Sequence, residues 1–154
     1  MSRAFVRETD AEPALPERQL SPHPNWVTPR GLAAIEARVR ELEAEREALR
    51  TGGDAAASAR IERELRYWSA RRASARLVSP AAAPTDRVRF GMRVTLEAPE
   101  GARRSFRLVG EDEADAAQGL LSWIAPLATL LLGRAVGERV PFQGVEATIV
   151  SIER

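Results

Sequence analysis

The sequence predicts an α+β protein: an N-terminal antiparallel helical coiled-coil hairpin, then a small antiparallel sheet domain with one short helix. Three observations carry this. Apolar residues recur at helical spacing from Leu32 to Leu49 and again from Ile61 to Trp68, with Gly52-Gly53-Asp54 between the two runs. Residues 79–86, Ser-Pro-Ala-Ala-Ala-Pro-Thr-Asp, then interrupt any helix. Beyond them apolar and polar residues alternate, as in strands that bury one face.

The chain has 154 residues, 44% hydrophobic and 29% charged, room for one or two small soluble domains. The most apolar stretch, Leu120 to Leu132, is too short to cross a membrane and is broken by Pro126. Arg3, Arg7, Glu8, Asp10 and Glu12 crowd the start, unlike a signal peptide, so a cytoplasmic protein without a membrane partner is expected. The absence of cysteine excludes a disulfide framework or a thiolate metal site. Net charge is +1, which gives no global argument for nucleic acid. All 23 basic residues are arginine, a bias that goes with the abundance of alanine, glycine and proline and points to GC-rich coding rather than phosphate recognition.

Residues 1–27, with Pro13, Pro16, Pro22 and Pro24, read as an extended tail. Phe5, Val6, Leu15, Leu20 and Trp26 are its candidates for docking in a groove of the folded part or of a partner. His23 lies between two prolines without a carboxylate or second histidine nearby, so it is expected in a solvated loop rather than as a ligand or base.

The hairpin is assigned to residues 28–78. Thr28 is the candidate N-cap and Pro29 takes the first helical position, where its missing N–H costs nothing. Leu32, Ile35, Val39, Leu42 and Leu49 form the seam of the first arm, which runs to about Arg50. Ile61, Leu65 and Trp68 form that of the second, continuing through Arg72 to Ala75, and the two seams bury each other. Residues 30–50 hold five arginines and five glutamates, whereas residues 60–76 hold six arginines against Glu62 and Glu64. Either the second arm is a basic face for phosphates, or its arginines pair across the coil with Glu36, Glu41, Glu43, Glu45 and Glu47; the near balance of charge favours pairing.

After the 79–86 linker, residues 87–154 form the sheet domain. Val88 with Phe90, Val94 with Leu96, and Phe106 with Leu108 alternate as strands, with a turn at Pro99-Glu100-Gly101. Glu111, Asp112, Glu113 and Asp115 make an acidic loop, and Leu120 and Leu121 lead into a short helix from Pro126 to a stop at Gly133. Val140 with Phe142, then Val145 to Ile152, close the sheet.

The order of these pieces resembles the Gre family of bacterial transcription elongation factors. The Thr28-Pro29-Arg30-Gly31 helix start, the hairpin, Val88-Arg89-Phe90-Gly91, Phe106-Arg107-Leu108-Val109-Gly110, Pro126-Leu127, Leu131-Leu132-Gly133 and Val136-Gly137 carry the resemblance over residues 28–154. Gly110-Glu111-Asp112-Glu113 is its most specific part. Ser2-Arg3-Ala4-Phe5-Val6 and Ser21-Pro22-His23-Pro24-Asn25 look like a branch with an extended N-terminus. The resemblance implies an FK506-binding-protein-like C-terminal domain that docks at the rim of the RNA polymerase secondary channel, with the coil inserted toward the active centre. RNA polymerase is the implied partner, nascent RNA or DNA is met only within the elongation complex, and the chain is expected to act as a monomer. It implies no catalytic residues and no cofactor of its own, only Mg²⁺ shared with the polymerase, where paired carboxylates at the coil tip help hold the ion and a water.

The sequence departs from that pattern. At the tip Gly52, Gly53 and Asp54 are followed by Ala55, Ala56 and Ala57, so Asp54 alone maps onto the metal-binding pair, and Glu62 and Glu64 lie too far along the helix to join it. Asp54 is thus either a metal ligand or the cap of the second arm, and capping is favoured. Both arms are several turns shorter than is usual in the family. Ile124, Ala125, Pro126 and Leu127 are the candidate docking residues, with Ile124-Ala125 where the family often has a polar pair; Leu130 and Leu131 are assigned to the core.

Three functions follow: an elongation factor acting on backtracked or paused complexes, a channel regulator that competes with cleavage factors without stimulating cleavage, and, from the C-terminal fold alone, a prolyl isomerase. The last needs an open aromatic cavity, and Phe90, Phe106, Trp123 and Phe142 are expected in the core.

Overall fold

A computed structural model describes residues 14–154. The first helix, α1 (Pro29–Leu49), starts as its sequence predicts: Thr28 is extended and its Oγ1 accepts the Gly31 N–H at 2.9 Å. Gly52, at φ +146°, turns the chain, and α2 (Ala55–Ser74) returns beside α1. Ile35, Val39 and Leu42 are buried on α1, and Leu65 on α2 packs with Val39 and Leu42, with Ile61 and Trp68 alongside. The predicted seam through Arg72 to Ala75 does not form. The helix ends at Ser74, and the buried residue of its last turn is Arg71, 3% exposed, because an acidic loop of the sheet domain comes to meet its charge.

The described part of the tail docks on the hairpin. Its strand β1 (Trp26–Val27) pairs in parallel with β2 (Arg76–Leu77), which follows α2. Buried Asn25 donates through Nδ2 to the Arg71 carbonyl at 2.7 Å, supplying a partner to the last turn of α2. Leu15 and Leu20, candidates for a groove of the folded part or of a partner, are each 53% exposed and fill no groove of the described chain. Phe5, Val6 and the 2–6 motif lie outside the described residues.

The second sheet comprises β3 (Arg93–Glu97), β4 (Arg103–Val109), β5 (Leu120–Ser122), β6 (Arg139–Phe142) and β7 (Val145–Glu153), in the order β5-β4-β3-β7-β6. It is mixed, not antiparallel throughout: β5 runs parallel to β4, with Arg107 opposite Leu120 and Val109 opposite Ser122. The connection through the acidic loop turns the chain by a 3₁₀ turn at Glu111–Glu113 and a second at Ala116–Gln118, which brings it back at the same end of β4. Val88 and Phe90 form no strand. Val88 instead exchanges backbone hydrogen bonds with the turn after the short helix α3 (Pro126–Leu131), through Gly133 N–H and Arg134 O at 2.9 and 2.8 Å.

The core lies between this sheet and α3. Val88, Met92, Val94, Leu96, Leu108, Leu131, Val140 and Ile149 are buried there, and Phe106 and Phe142 meet edge to face beside them. Phe90 is also buried, whereas Trp123 leaves the core to stack on Trp26 at 4.3 Å between ring centroids. Leu130 was expected in the core with Leu131, but points outward and is 39% exposed. One turn of helix cannot aim both neighbours at the same sheet.

Candidate functional site

Three regions bear on function: the hairpin tip, the joint at its base, and the turn before α3. At the tip, Gly53 is needed for its lack of a side chain, since a Cβ there would sit 2.6 Å from the Leu49 side chain. Asp54 caps α2, its Oδ1 accepting the Ala56 N–H at 2.9 Å. No second carboxylate joins it. Glu47 pairs with Arg50 at 3.0 Å and Glu62 faces Arg46 at 3.8 Å, while Glu64 is taken by Arg18 at 2.8 Å. Glu62 lies eight residues on, about 12 Å along the helix axis. Among the described residues no group of three or more His, Asp or Glu side chains converges on a possible metal position. Asp54 brings one exposed carboxylate with an oxygen committed to the cap, so the tip alone does not supply the several oxygen ligands that Mg²⁺ takes.

The joint shows why the Gly110-Glu111-Asp112-Glu113 loop and the Thr28-to-Gly31 helix start belong together. Asp112 accepts from Arg71 Nε on one oxygen and from the Tyr67 hydroxyl on the other, both at 2.5 Å. Arg71 Nη2 also faces Glu111 at 3.7 Å, and Thr28 Oγ1 donates to Glu113 at 2.5 Å. Gly31 admits that glutamate, because a Cβ there would lie 2.6 Å from Glu113 Oε2. Burial, reinforced by the Asp112 hydrogen bond, pushes the Tyr67 hydroxyl up to about 12. The hairpin is therefore held at a set angle by charges that the sheet domain supplies.

Two arginines of the basic arm pair with acids outside it, Arg71 with the sheet domain and Arg66 with the tail. Only Arg46 and Glu62 pair between the two helices among the described residues, so the expected pairing across the coil is not what neutralises α2. The tail contacts the arm through one acid and one base, leaving its net charge unchanged. Glu17 accepts from Arg66 at 3.0 and 2.5 Å, the Pro16 carbonyl accepts from Arg63, and Arg18 sits 3.6 Å over the Tyr67 ring while pairing with Glu64. The Arg66 hydrogen bond holds the Glu17 carboxyl below its ordinary value. Burial works against the charge of Glu64, yet Arg18 and Arg63 keep its carboxyl low as well.

Ile124, Ala125, Pro126 and Leu127 span the turn from β5 into α3. Ala125 N–H bonds to Ser122 O at 2.9 Å, Pro126 is exposed, and Leu127 packs partly on the core. Beside them Trp123 carries Trp26 on its face and the exposed His23 on its edge, 6.1 Å away. The tail thus reaches the same surface as the candidate docking turn. No local pattern could announce that contact, although the lone tryptophan after a proline-rich run is a usable sign of a docking anchor. Among the described residues, Phe142 lines a recess of about 120 Å³, below the range of small-molecule pockets, and Phe106 lines a larger cleft at the hairpin base; Phe90 and Trp123 line neither.

Residues 83–154 match the family model described as transcription elongation factor, GreA/GreB, C-term. The transcription elongation factor GreB of Neisseria meningitidis serogroup B (strain MC58) is 37% identical over 98 residues, covering 60% of each chain. GreA of Anaeromyxobacter sp. (strain K) is 40% identical over 78 residues, covering 50% of this chain and 45% of its own. A solved structure of a GreA/GreB elongation factor from Nitrosomonas europaea aligns with 86% of this chain and 99% of its own, at 19% identity and a TM-score of 0.43. This chain spans about 60% or less of the length of these two curated relatives. The similarity to the family model thus covers the C-terminal domain, residues 83–154, a little under half of the chain.

Proposed function

We propose that the chain binds RNA polymerase at the rim of the secondary channel and modulates backtracked or paused elongation complexes without chemistry of its own. Support comes from the pairing of a GreA/GreB C-terminal domain with a hairpin locked to it by Arg71 and Asp112. The 21 residues of α1 reach about 30 Å from that joint. In this reading Ile124, Ala125, Pro126 and Leu127 contact the rim and the Gly52-Gly53-Asp54 tip enters the channel.

A specific observation favours occupancy without stimulated cleavage. Asp54 stands alone and caps its own helix, so the tip brings no paired carboxylates to a second metal. Such a protein competes with cleavage factors for the channel. Deleting residues 46–61 tests the division of labour: polymerase affinity is expected to stay within about threefold of the full chain, a change below 1 kcal/mol, while the effect on paused complexes disappears. Loss of affinity would move the main contact onto the coil.

A further inference from the structure

A cleft of about 600 Å³ opens between the base of the hairpin and the outer face of the sheet, lined by four arginines: Arg30 from α1, Arg93 from β3, Arg107 from β4 and Arg154. Its volume lies within the range of about 300–1,000 Å³ typical of small-molecule sites. Arg93 and Arg107 stand directly opposite in the β3–β4 register, a like-charge cross-strand pair that is unfavourable unless something negative lies between or beside them. Glu153, opposite Arg93 on the other side, makes no ion pair with it within 4.0 Å among the described residues. Glu113 is the one carboxylate side chain lining the cleft, and Thr28 holds it.

The four guanidinium groups differ in freedom. Arg107 is anchored, donating to Gly91 O at 2.6 Å and to Arg154 O at 3.5 Å, and Arg154 donates to Ala81 O at 3.2 Å. Arg30 and Arg93 are exposed and form no hydrogen bond or ion pair with the described residues. A fixed guanidinium flanked by solvent-facing guanidinium groups without a protein partner is an arrangement that suits phosphate, whose oxygens take paired N–H bonds from arginine forks.

We propose that this cleft binds a small phosphorylated ligand of nucleotide size, its phosphates held by Arg30, Arg93 and Arg154 around the anchored Arg107. The site is separate from the hairpin tip and from the turn before α3, and it does not depend on polymerase binding. Calorimetric titration of the full chain with GDP, inorganic pyrophosphate and guanosine tests it, with R30Q/R93Q and R40Q as variants. Both cleft residues are exposed and unpartnered, so the double variant is expected to keep the parent melting temperature, which is measured alongside.

GDP and pyrophosphate are expected to bind while guanosine does not. Affinity is expected to fall about tenfold or more in R30Q/R93Q, as for loss of charge-assisted bonds, and no more than about twofold in R40Q, a distant surface charge. Absence of binding by GDP and pyrophosphate, or an equal loss in R40Q, overturns the site. Pyrophosphate binding without GDP overturns the nucleotide-sized ligand. Binding of a short single-stranded RNA where GDP and pyrophosphate fail assigns the surface to nucleic acid and overturns the proposal in the same way.

Discussion

Arg71 is the residue on which the relation between the hairpin and the sheet domain turns. It is 3% exposed, and its partner Asp112 is only 10% exposed, so each charge depends on the other for its solvation. Replacing Arg71 by methionine strands a buried carboxylate, which costs about 3 kcal/mol by the usual penalty for breaking such a pair. Urea unfolding is expected to show that loss in R71M and partial recovery in R71M/D112N. Equal stability of R71M and the parent would contradict the proposed role of the joint. Arg71 was hidden in the sequence among the six arginines of residues 60–76. Its partner sits 41 residues on, in a loop whose acidity was visible but whose target was not. Thr28 and Asp54 were legible because a cap acts within three residues.

Among the elements, the docked tail has the clearest chemical signature. Its Glu17 carboxyl is held low chiefly by the hydrogen bond from Arg66, so its folded pKa lies below the value of the free chain. A depressed carboxyl stabilises docking above the unfolded pKa, and that contribution is lost as pH falls through the folded one. An NMR pH titration of the Glu17 side-chain carboxyl is therefore expected to give a midpoint below the ordinary glutamate value of about 4.3, with the Arg66 Nε–H resonance moving through the same midpoint. R66Q is expected to return the Glu17 midpoint to that ordinary value. An ordinary midpoint in the parent chain would mean that the tail is held by other contacts.

The helices were readable from periodicity alone, since Ile35, Val39, Leu42 and Leu65 lie where a seam must lie. The parallel placement of β5 was not, because residues 120–122 are too few to show a period and their partner is fixed by the folded loop before them. Val88 was misread for a related reason. Burial on one side looks alike in a strand and in a loop that bonds to a helix terminus.

At the scale of the whole molecule, a domain similar to the GreA/GreB C-terminal domain carries a hairpin whose base is fixed by buried charge and whose tip lacks a second carboxylate. The first half of that description makes the chain a channel-binding factor in our reading; the second makes it an occupant rather than a stimulator of cleavage. The direct measurement is transcript cleavage in purified backtracked elongation complexes at fixed Mg²⁺, with polymerase binding followed in parallel and a cleavage factor added as competitor. This account predicts binding, no acceleration of cleavage by the chain alone, and suppression of the added factor. Acceleration beyond the polymerase's intrinsic rate, removed by Asp54→Asn, would contradict it and restore a metal role to the tip.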